Sequence, residues 1–146
     1  MLHEGQGVVL MTKEDWAQVE KALSGTYGMA KLQADDFAVT FQRRLVSKNR
    51  LAIVTYVNGV MKGEWICPED VHPEQSCLRP ASRYMCKPKE RAELKKIRKR
   101  TLRALGPAFD PDRRWHYFDL SWPSVTAIRR HYQKTFTSIE LIEVVG

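Results

Sequence analysis

Residues 51–66 read LAIVTYVNGVMKGEWI. Leu51, Ile53, Thr55 and Val57 alternate with Ala52, Val54 and Tyr56, the period of two that gives a strand two different faces. Asn58-Gly59 follows, a pair suited to a two-residue hairpin turn because both positions need positive φ. The run 60–66 is then expected to return as the partner strand. Upstream, Phe37, Val39 and Phe41 alternate with Ala38, Thr40 and Gln42, while Asp35-Asp36 and Ser47-Lys48-Asn49 carry turn residues. Residues 27–66 therefore predict a four-stranded antiparallel meander.

Before the meander, Thr12 precedes Trp16, Val19 and Leu23 at helical spacing. A helix over 13–24 follows, capped by Thr12, with Glu14 and Asp15 at its positive end and Gly25 closing it. Residues 1–11 become an expected flexible N-terminal extension, and 12–146 a single domain. Residues 67–88 contain Pro68, Pro73, Pro80 and Pro88 without a sustained period, which predicts a long irregular loop. A helix is expected over 89–105, burying Leu94, Ile97, Thr101, Ala104 and Leu105 and stopped by Gly106-Pro107. Residues 115–118 alternate as a fifth strand. Pro123 opens a short helix with Val125, Ile128 and Tyr132 inward, and SIELIEVV (138–145) closes as a sixth strand. The order αββββαβαβ is that of an α+β fold, a mainly antiparallel sheet with helices packed on one face. With 146 residues, 43% of them hydrophobic, the chain is long and apolar enough for one real core.

No uninterrupted apolar run exceeds four residues, so no helix is expected to span a membrane. Residues 1–11 (MLHEGQGVVLM) lack the basic leader and long apolar stretch of an export signal. Cytoplasmic location is the expectation, and three cysteines, an odd number, fit reduced thiols better than a disulfide framework. Nothing in the sequence specifies an oligomeric state.

Charge is the strongest functional signal. Of 24 Lys or Arg and 17 Asp or Glu, residues 87–103 hold nine and two, which leaves 15 of each elsewhere. The whole excess of +7 thus sits in this one 17-residue segment, most of which is the expected basic helix. Cations on one helical face neutralise phosphates and release counterions, giving affinity with weak sequence preference. Lys95, Lys96, Lys99, Arg100 and Arg103 are the expected contacts to a DNA or RNA backbone. Arg113, Arg114 and Trp115 interleave charge with an aromatic ring, as stacking platforms do. The same face suits an acidic protein surface, which would make the chain an interaction or inhibitor module of the phage or mobile-element accessory type. The plainer reading, a solvated helix whose aliphatic stems cover apolar neighbours, competes with both.

Cys67, His72, Cys77 and Cys86 are the candidate zinc ligands, and a bound metal would order the 67–88 loop. Their spacing lacks the close Cys pair of a zinc knuckle, which favours isolated apolar cysteines and no cofactor. There is no Gly-x-Ser-x-Gly elbow, phosphate-binding Gly-rich loop, His-Glu-x-x-His or dinucleotide fingerprint. The expectation is a binding protein that is not an enzyme, without catalytic residues.

Overall fold

Thr12 starts the first helix. In the computed structural model, which describes residues 8–146, Thr12 Oγ1 accepts from the Asp15 amide at 3.1 Å, and the Asp15 carboxylate accepts from the Thr12 amide at 3.0 Å. This reciprocal box satisfies two donors that the first turn leaves free. It opens α1 (Lys13–Ser24). The chain continues through β1 (Met29–Ala34), β2 (Phe37–Ser47), β3 (Arg50–Val57), β4 (Arg79–Tyr84), α2 (Pro88–Lys95) and α3 (Lys99–Leu105). It then forms β5 (Arg114–Asp119), β6 (Ser121–Trp122), α4 (Val125–Thr135) and β7 (Ile139–Val145). The class is α+β, as expected from the sequence. The elements divide into two units, one formed by the chain up to Arg79 with Phe118–Gly146, the other by Pro80–Tyr117.

The first unit is built on a five-stranded sheet in the order β6-β3-β2-β1-β7, each strand antiparallel to its neighbours. Alternation buries Ala30, Leu32 and Ala34 from β1, Val39 and Phe41 from β2, and Ile53 and Val57 from β3. Against them α1 brings Trp16, Val19 and Leu23, and α4 brings Val125, Ile128 and Tyr132. The Tyr132 and Phe41 rings meet edge to face, centroids 5.4 Å apart. A Cβ on Gly28 would lie 1.7 Å from the Ala22 carbonyl oxygen, so only glycine lets the chain leave α1 for β1 this closely. Of the expected N-terminal extension, residues 1–7 lie outside the described residues. Farther on, the Val9 amide donates to Ser138 Oγ at 3.1 Å, the Val9 carbonyl accepts from the Ile139 amide at 2.7 Å, and Met11 packs on the core.

The fourth strand of the expected meander does not form. Asn58 and Gly59 do make the turn, with φ of 53° and 83°, and Val57 and Val60 exchange hydrogen bonds of 2.8 and 3.1 Å. Pairing stops at that single bridge, and Gly63–Ile66 coils into a 3-10 turn that buries Trp65. The edge of β3 is already taken. The Thr55 amide donates to the Leu120 carbonyl at 2.9 Å, Ile53 faces Trp122 and Val54 faces Ser121. A pairing distant in sequence has displaced the local one, and a two-residue strand such as β6 is too short to show a period.

The 67–88 stretch is also less irregular than expected, since it contains β4, which pairs with β5 in a two-stranded ribbon. Pro80 masks the strand in the sequence, and it is tolerated because a ribbon strand has an open edge.

Candidate functional site

The Pro80–Tyr117 unit holds 12 Lys or Arg against four Asp or Glu, a net +8; the rest of the sequence holds 12 against 13, a net −1. The β4–β5 ribbon supports this unit. Arg83 lies over the Trp115 ring at 4.8 Å, and Trp115 stacks on Tyr117 with centroids 4.9 Å apart and an interplanar angle of 19°. The guanidiniums of Arg91 and Arg114 stand over the Tyr84 ring at 3.8 and 4.1 Å. These stacks hold the cations in place by attraction to the ring faces. Arg114 also donates to Ser82 Oγ at 2.8 Å.

The expected single helix over 89–105 is two. α2 ends at Lys95, and Arg98, with ψ of 137°, breaks the helical path before α3 begins. The break falls between Lys95 and Lys99, where a continuous helix would set like charges one turn apart. It also changes which side chain points inward. Leu102 is the one buried residue of α3, whereas Ile97 is 40% and Leu105 52% exposed, because the turned segment no longer shares the phase of α2.

The cations therefore sort into two kinds. Arg91 is structural, donating to Asp112 Oδ1 at 2.9 Å and to the Pro111 carbonyl at 3.0 Å. Lys96 meets Glu93 at 3.5 Å in an exposed pair, a contact worth little in water. Lys95, Lys99, Arg100, Arg103 and Arg113 are exposed and form no ion pair among the described residues. Lys99 and Arg103 line a cleft of about 530 Å³ with Leu102, Gly106, Pro107 and Asp110. Sequence reasoning missed Arg83 and Tyr84. Their signal was available, since Arg-Tyr repeats the alternation of charge and ring at 113–117.

The candidate zinc ligands have other surroundings. Cys77 is fully buried, and burial pushes its thiol up to about 12. Its carbonyl accepts from the Tyr132 hydroxyl at 2.6 Å, and burial likewise raises the Tyr132 phenol well above its ordinary value. Cys67 and His72 sit in a loop organised by the buried Gln75. The Gln75 side-chain amide lies 3.0, 3.1 and 2.8 Å from the carbonyls of Trp65, Cys67 and Asp70, and its Oε1 accepts from the His72 amide at 3.1 Å. Cys86 belongs to the Pro80–Tyr117 unit, its sulfur 4.0 Å from the Asp110 carbonyl. Among the described residues no group of three or more His, Cys, Asp or Glu stands where it could hold a metal ion.

Compared with models of protein families, with curated proteins and with solved structures, the chain finds no significant match. Among the described residues no helix is long and apolar enough to cross a membrane.

Proposed function

We propose that this protein binds nucleic acid through the Pro80–Tyr117 unit, without catalysing a reaction and with weak sequence preference. One observation carries the reading: the excess positive charge is confined to a small unit whose outward cations, apart from Lys96 in its exposed pair with Glu93, lack carboxylate partners among the described residues. Self-repulsion among such side chains is relieved by a polyanion, and displaced counterions add a salt-dependent gain. Lys95, Lys96, Lys99, Arg100, Arg103 and Arg113 contact phosphates in this reading. Arg114 and Trp115, engaged in stacking, brace the surface from the ribbon.

The test is fluorescence anisotropy with labelled duplex DNA, single-stranded DNA and RNA at two salt concentrations. The variant Lys95→Gln/Lys99→Gln/Arg103→Gln should bind more weakly on every sequence, with a duplex salt slope shallower by about 2–3. Unchanged affinity and slope would sink the assignment. Saturable binding to an acidic polypeptide, with none to nucleic acid, would return the interaction-module reading.

A further inference from the structure

The β2–β3 hairpin outgrows its sheet. β1 pairs with β2 only over residues 37–42, and β6 pairs with β3 only at Ile53 and Val54. Residues 44–52 therefore form a two-stranded arm whose strands pair with each other alone. Val46 is an extra residue in the ladder, between the pairs Leu45↔Leu51 and Ser47↔Arg50, and such a bulge bends and twists an arm. Every residue from 44 to 51 is exposed, including Leu45 at 54%, Val46 at 44% and Leu51 at 37%.

The arm is also purely cationic. Between Asp36 and Glu64 the sequence has Arg43, Arg44, Lys48, Arg50 and Lys62 and no acid. Arg43 is turned back to the body, donating to the Leu23 carbonyl at the end of α1 at 3.1 Å. Arg44 donates to the Tyr56 hydroxyl. Arg44, Lys48 and Arg50 enter no ion pair among the described residues.

We infer that this arm enters the major groove of duplex DNA, as a second contact on the first unit. The inference rests on the nucleic-acid reading above and names its substrate. Two strands ~4.8 Å apart with their side chains match a groove ~12 Å wide, and four residues of projection reach roughly 13 Å, more than the groove's depth of about 8.5 Å. Arg44, Lys48 and Arg50 meet phosphates along the walls, and Leu45 and Leu51 face base edges and thymine methyls. The deep, narrow major groove of an RNA duplex excludes such a ribbon.

The experiment compares the full chain with Arg44→Gln/Lys48→Gln/Arg50→Gln on DNA and RNA duplexes of one sequence, with thermal denaturation to confirm equal folding. A second variant, Leu45→Asp/Leu51→Asp, repels the groove without removing a cation. Both variants should weaken duplex DNA binding at least about 10-fold and change RNA duplex binding less than about 2-fold. The triple variant should also flatten the DNA salt slope by about 2–3. DNA binding by both variants within 2-fold of the parent, while the Lys95/Lys99/Arg103 variant is impaired, overturns this inference alone. Equal losses on DNA and RNA overturn the groove placement. A parent chain that binds no nucleic acid overturns both readings.

Discussion

The indole N–H of Trp122 donates to Thr55 Oγ1 at 2.9 Å, with both side chains buried. The bond fastens β6 to β3 and so holds the edge that a returning meander strand would have used. Thr55→Val keeps the shape but strands the buried indole donor. The variant should lose about 1–3 kcal/mol of stability, read as a lower midpoint in urea with unchanged slope.

Gly28→Ala should be among the most damaging single substitutions. The new methyl would meet backbone, the Ala22 carbonyl group, which cannot swing aside as a flexible side chain would. A loss of at least about 3 kcal/mol is expected. An alanine variant as stable as the parent would show that the α1–β1 connection adapts.

Gln75 fastens the 65–72 segment through four backbone contacts. Gln75→Leu should cost about 2–4 kcal/mol, because buried carbonyls lose their donor. Limited proteolysis should then cut first within this loop. Metal chelators should leave the melting temperature of the parent unchanged; a chelator-induced drop would revive Cys67, His72 and Cys77 as ligands.

His131 gives the fold a pH dependence with a definite sign. Burial lowers its pKa below the ordinary 6.5, assisted by Lys134 and opposed by the hydrogen bond to the Ser76 carbonyl at 2.7 Å. Below about pH 6.5 the unfolded chain therefore takes up the proton more readily than the folded one. Stability should fall as pH drops from 6.5 through the folded-state value, and be flat with respect to this group above 6.5. His131→Gln, which still offers a donor to Ser76, should show a smaller loss between pH 7 and 5 in urea titrations.

Several features were legible without coordinates because their causes are local. Thr12 followed by Asp15 encodes its own cap, and the alternation at 37–42 and 51–57 encodes two faces. Asn58-Gly59 encodes a turn through the φ values it tolerates, and the charge of 87–103 can be counted. Only the tertiary structure decided which strand sits beside β3, because Leu120 and Trp122, far along the chain, take the edge at Thr55 that the local return after Asn58-Gly59 would have used. It also separated Arg91, bound to Asp112, from Lys99 and Arg103, which remain unpaired among the described residues. The projecting arm was likewise invisible, since alternation shows that residues form strands but not where neighbouring strands end. Local sequence determines what a segment can form; competition for hydrogen-bonding edges and carboxylate partners, settled only when distant segments meet, determines what it does form.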